Sequence, residues 1–183
     1  MSREVRLLLT GAIAAAIMAV AVAAIIALAG LYNVAADAPH YETTKALIAA
    51  VRERSIESRI GGIVVPALAD PHRIADGAAD YDAMCTACHL APGMAENEMR
   101  PGMNPKPPLL WKMRDEDPRE QFWTIKHGIR MSGMPAWGVT HSDDEIWNMV
   151  AFLQKLPSLS PTQYKAVVTS GGAHHDHDHM DMH

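Results

Sequence analysis

Charge is missing from most of the start of this chain. From Leu7 to Ala36 there is no Asp, Glu, Lys or Arg. Cysteine is scarce, with Cys85 and Cys88 the only two in 183 residues. A structural zinc site needs four ligands, usually a second Cys or His pair at matched spacing. His127 and His141 stand fourteen apart on different elements and make a poor second pair. A thioredoxin-like pair expects a βαβ setting, and no convincing strand pattern or internal repeat is present. Basic excess is absent too. Between Pro71 and Pro157 nine Lys and Arg face twelve Asp and Glu, which argues against a nucleic-acid surface.

The uncharged stretch is itself a signal. Leu7 to Leu31 is uniformly apolar and exceeds the about 20 residues that a bilayer-spanning helix requires. Arg3 and Arg6 precede it, and the first charge afterwards is Asp37, so the N-terminus is expected in the cytoplasm and the rest outside. Small-residue cleavage patterns exist at Ala27-Leu28-Ala29 and Ala36-Asp37-Ala38, but the apolar run is longer than the roughly 7–15 residues of a signal peptide. Residues 1–36 are therefore read as an uncleaved anchor.

The remainder divides by composition into a helical spacer (37–70), a compact domain (71–157) and a flexible tail (158–183). The spacer helix, His40 to Ile60, has a ragged apolar stripe of Leu47, Ile48, Val51, Ile56 and Ile60, and Gly61-Gly62 ends it. In the compact domain Ile74, Ala78, Tyr81 and Cys85 fall on one face of a helix that stops at the first cysteine. Asp117-Pro118 with Glu120 starts a second helix, on which Phe122, Ile125 and Ile129 share a face and Gly128 is the stop. Ser142-Asp143-Asp144-Glu145 is a capping box that opens a third, with Ile146, Met149, Val150 and Leu153 on one stripe and Pro157 closing it. Leu90 to Lys112 is rich in Pro, Gly and Met and reads as loop. An all-α domain this short has a small core, so something else is expected to fill its centre.

Residues 85–89 read CTACH. C-x-x-C-H is the attachment signature of c-type haem. Two cysteines three apart at a helix end reach two vinyl groups of one porphyrin, and the next residue, His89, is then held under the iron. A disulfide between the cysteines would leave His89 unexplained. For the sixth iron position the stretch GIRMSGMPAWG, 128–138, offers Met134. Gly133 permits close backbone approach and Pro135 pushes Met134 toward an extended conformation. Met131 is the rival, and His127 or His141 would give bis-histidine ligation instead.

Ile74 to Leu156 resembles a class I cytochrome c with one haem. The resemblance rests on Gly77 and Tyr81 before CTACH, on GMPAW, and on a last helix with Trp147 and Phe152. It implies Cys85 and Cys88 as thioether anchors of haem c, with His89 and Met134 as axial ligands. It also implies first and last helices that cross near Gly77, with Trp147 or Phe152 packed there. A proline carbonyl is implied as acceptor for the proximal histidine N–H. Pro108 fits best, and Pro92 is the weaker choice. The methionines Met94, Met99 and Met103 lie outside the family pattern, as do the anchor, the spacer and the tail.

With His and Met on the iron no position is left open for a substrate, which suits electron transfer. The expected protein is a single-pass cytochrome of a bacterial inner membrane. Its haem domain faces the periplasm and exchanges single electrons with respiratory or dehydrogenase partners at or near the membrane. It is expected to be a carrier or a complex subunit, not itself an enzyme. A haem peroxidase or ligand sensor would require Met134 to dissociate. The tail HHDHDHMDMH brings a further expectation. His174, His175, His177, His179, Met180, Met182 and His183 have the ligand chemistry for copper. A copper-handling haem protein is the alternative reading, with Met94, Met99 and Met103 as possible further ligands.

Overall fold

The computed structural model describes residues 2–178, with side chains as far as Gly171. Among the described residues there are α-helices and short 3₁₀ turns and no strand. The chain separates into two units, 1–38 and 39–183.

The first unit is helix α1, Arg3–Leu28. Ser2 caps it by accepting from the Val5 N–H, and no residue of it is buried. Its 26 residues rise about 39 Å at about 1.5 Å each, more than the about 30 Å of a hydrocarbon core. It is long and apolar enough to span a membrane.

The second unit begins with α2, Glu42–Ile60. Its stripe divides in two. Ile56 and Ile60 are buried, whereas Leu47, Ile48 and Val51 are exposed. The helix packs on α5, Pro118–His127, so the end of the spacer is seated on the domain that follows it. Helix α3 is Pro71–Met84, started by the Asp70 side chain on the His72 N–H and by Pro71 in the first turn. Helix α4, Thr86–His89, follows with Cys85 as the shared boundary residue. Helix α5 is capped by Asp117 and ends at Gly128, so Ile129 lies beyond the helix. The chain reverses at Gly128, which has φ +64°, and any Cβ there would meet the Met134 and Pro135 carbonyls. Helix α6, Asp143–Lys155, opens with the Ser142–Glu145 capping box.

The core forms where α3 crosses α6. Gly77 rests against the backbone carbonyl of Asn148 with no room for a Cβ. Tyr81 packs on Phe152 with ring centroids 5.4 Å apart, while Trp147 stacks on Phe122 of α5 at 4.2 Å. Of the two aromatics expected at the crossing, Phe152 is therefore the one set against α3. Residues 158–183 were expected to be flexible, yet Pro161–Asp178 form helix α7, packed on α3. Three features seat it. The Tyr164 ring is buried, its hydroxyl donates to Asp82 Oδ1 at 2.7 Å, and Gly171 lies directly on the Ala75 carbonyl.

Candidate metal centre

CTACH occupies one tight turn continuing α3. Cys85 N–H donates to the Tyr81 carbonyl at 2.9 Å, and the Cys85 carbonyl accepts from His89 N–H at 2.8 Å. Both cysteines are free and half-buried. Burial pushes the Cys85 thiol up to about 12, with Asp80 and Cys88 adding to the shift. The thiol is thus held protonated in the folded polypeptide.

His89 is half-buried, and its Nδ1 lies 2.8 Å from the Pro108 carbonyl oxygen. A carbonyl only accepts, so Nδ1 carries the proton and Nε2 keeps its lone pair. Burial lowers the histidine pKa against the opposing pull of the Pro108 bond, and nearby Arg100 lowers it further. The ring is thereby poised as a neutral donor ligand, and the bond to Pro108 fixes its tautomer. Pro92 is buried and takes no part in that bond.

The residue after the histidine is strained. Leu90 has φ +56°, a conformation L side chains rarely adopt. Its carbonyl accepts a 2.6 Å bond from the buried Tyr81 hydroxyl, whose own pKa is pushed upward by that burial. Strain of this kind persists only where the surroundings hold it, and here Tyr81 of α3 does.

Two methionines compete on the loop after α5. Met131 sits at the tip of a turn closed by the 3.2 Å bond from Ser132 N–H to the Ile129 carbonyl, has φ +59° and is 98% exposed. Met134 packs against the hydrophobic core. Its N–H is held by Ser132 Oγ at 3.1 Å, and its carbonyl accepts from Ile129 N–H at 3.2 Å. The missing Cβ of Gly133 leaves room for the Met103 methyl, which brings that loop methionine to the same place. Met94 and Met99 are about half exposed, at 46% and 49%.

His127 and His141 go elsewhere. His127 lies against Trp123, at 4.9 Å between ring centroids, and His141 lies against Trp137 at 5.5 Å. Among the described residues no three His, Cys, Asp or Glu gather as a metal site. The side chains of His174, His175 and His177 lie outside the described ones, and His179, Met180, Met182 and His183 lie outside the described residues altogether.

Arg100 and Trp111 carry no signal in the sequence, since one looks like a surface charge and the other like an ordinary core aromatic. Arg100 is 5% exposed. Trp111, three residues past Pro108, has a buried Nε1–H with no acceptor among the described protein atoms. Buried donors are nearly always paired, so an acceptor supplied by a bound group fits here.

Residues 72–153 match the family model described as cytochrome C oxidase, cbb3-type, subunit III. This stretch is a class I cytochrome c domain. Neither the curated proteins nor the solved structures searched contain a match to the chain. A cytochrome c domain carries haem c covalently and belongs with electron carriers. The geometry of the domain fits that group. The free cysteine pair, the neutral His89 with its Nε2 lone pair and the unpaired Trp111 donor stand close together in sequence around one loop.

Proposed function

We propose that this chain is a membrane-tethered, one-electron carrier in which Cys85 and Cys88 bind haem c by thioethers and His89 and Met134 are its axial ligands. The observation that carries the reading is the 2.8 Å contact of His89 Nδ1 with the Pro108 carbonyl, one residue from a half-buried, unbridged cysteine pair. That bond presents Nε2 as a metal donor and raises its basicity. Met134 is supported over Met131 by its packing on the core against the near-complete exposure of Met131.

Haem c bound here supplies an iron centre that takes up and gives back one electron. The chain's own residues do the rest. His89 would stay neutral with its Nδ1 proton on the Pro108 carbonyl, and Met134 would offer a soft thioether from a loop pinned at Gly128. His89 and Met134 would both be committed to holding the iron, which suits a carrier and not a substrate-binding metal. Function then reduces to brief docking with redox proteins, for which small weak interfaces suffice. Helix α1 supports a single-pass anchor, with Arg3 and Arg6 favouring a cytoplasmic N-terminus and a periplasmic haem domain in a bacterial inner membrane. The name of the matching family points to respiratory redox partners. Copper on the C-terminal run gains no support from the described residues.

The test is to express the full chain with cytochrome c maturation factors and record oxidised and reduced spectra with and without carbon monoxide. A methionine–iron charge-transfer band and no carbon monoxide shift are expected. Met134→Ala should abolish the band and admit carbon monoxide, while Met131→Ala should change neither. The reverse pattern names the wrong methionine, and an open iron in the wild type ends the carrier reading.

A further inference from the structure

We infer that Arg100 is the positioning residue of the proximal ligand: its guanidinium ties the turn that carries His89 to the loop that carries Pro108, and so sets the His89–Pro108 hydrogen bond. The inference rests on the haem reading above.

Arg100 lies on a 3₁₀ turn, Arg100–Gly102, with 5% of its surface exposed. A buried cation is costly unless it is partnered, and each of its three nitrogens has an acceptor. Nε donates to the Cys88 carbonyl at 2.9 Å, immediately before His89. One terminal nitrogen donates to the Pro107 carbonyl, immediately before Pro108. The other donates to Glu96 Oε1 at 3.0 Å, and Glu96 is held in turn by Lys106. Asn97 reinforces the grip. Its Oδ1 accepts the Arg100 backbone N–H at 3.1 Å and its Nδ2 donates to the Ala87 carbonyl. The last carbonyls of a helix have no partner within it, and at α4 two of them, Ala87 and Cys88, are taken by this clamp.

One planar fork therefore spans both sides of the proximal contact. On one side it grips the peptide leading into His89, and on the other the peptide leading into Pro108. The 2.8 Å bond from Nδ1–H to the Pro108 carbonyl closes the same ring. Lysine cannot reproduce this, because a single ammonium lacks the rigid pair of donors. The strength of the histidine's outer bond tunes its donation to the metal: a firm bond makes the ring more basic and favours ferric iron, and a slack bond favours ferrous.

The experiment uses the haem-loaded full chain in detergent, with the ferrous form followed by proton NMR and the reduction potential measured by redox titration. In the wild type the His89 Nδ1–H should exchange with solvent as slowly as the core amides of α6. In Arg100→Lys, which keeps the charge and loses the fork, that proton should exchange at least about tenfold faster while α6 amides stay within about twofold, and the potential should rise. In Glu96→Gln, which leaves both carbonyl bonds intact, the His89 proton should stay within about twofold of wild type. Fast exchange in the wild type overturns the inference, whatever the variants do. So does an unchanged proton and potential in Arg100→Lys, an exchange that rises equally throughout α6, or a Glu96→Gln effect as large as that of Arg100→Lys. A wild type that takes up no covalent haem sinks the haem reading and this inference together, whereas a loaded wild type with indifferent variants sinks the inference alone.

Discussion

Gly77→Ala tests the helix crossing on which the site stands. Gly77 is buried in α3, and an added Cβ would enter the space of the Asn148 carbonyl and come within 2.8 Å of the Met149 nitrogen. The obstacle is backbone, so no side chain can rotate away. The helices must separate, and the tight contacts of Ala78, Tyr81, Met149 and Phe152 loosen with them. Overpacking costs about 1–3 kcal/mol, and a backbone-on-backbone clash belongs at about 3. Against this, alanine in a helix interior is about 1 kcal/mol better than glycine. The net expectation is a loss of about 2 kcal/mol, a large share of the about 5–15 that holds a domain together. Urea unfolding of the haem-loaded chain in detergent, followed by helical circular dichroism, measures it. Gly62→Ala is the control, since a Cβ there meets nothing within 4 Å and should shift stability by less than about 0.5 kcal/mol. A Gly77→Ala protein as stable as wild type would refute the crossing as described.

Two further outcomes follow from single groups. Tyr81→Phe leaves the buried Leu90 carbonyl without its 2.6 Å donor and should cost about 1–2 kcal/mol in the same unfolding assay, with faster amide exchange at Leu90 and Ala91. The Glu96 carboxyl is held below its ordinary value of 4.5, first by the Lys106 hydrogen bond and then by Arg100. A lowered folded pKa means that the group stabilises the fold above its ordinary value and that this contribution fades as pH falls through the folded one. Glu96→Gln should therefore melt lower than wild type at neutral pH and converge with it at acid pH, as read from melting temperature against pH. A constant difference across that range would assign the effect to packing.

Much of the fold was legible because its signals are local. The Ser142–Glu145 capping box, the Asp117-Pro118 start and the stop at Gly128 each complete themselves within one turn. Ile129 was misplaced on the α5 face because apolar spacing continues past a chain reversal that Gly128 imposes. Helix α7 was missed for a different reason. Its sequence has a weak apolar stripe, and its stability comes from Tyr164 and Gly171 meeting α3, some eighty to a hundred residues away. Arg100 was invisible because nothing in its neighbours distinguishes a buried arginine from a surface one. The carbonyls of Cys88 and Pro107, brought to it by the loop, together with the Glu96 carboxylate make burial tolerable.

By itself the sequence determined which reactive groups stand together and which stretch is long and apolar enough to cross a bilayer. CTACH places two thiols and an imidazole within five residues, and a run without charge from Leu7 to Ala36 is long enough for a bilayer; neither depends on how distant segments meet. Tertiary structure decided which of several chemically equal groups stands where. It put Met131 in solvent and Met134 against the core, gave the His89 proton to Pro108 and not to Pro92, and buried Arg100 beside both. Side chains of one type share one chemistry, and only packing between segments far apart in the chain tells them apart.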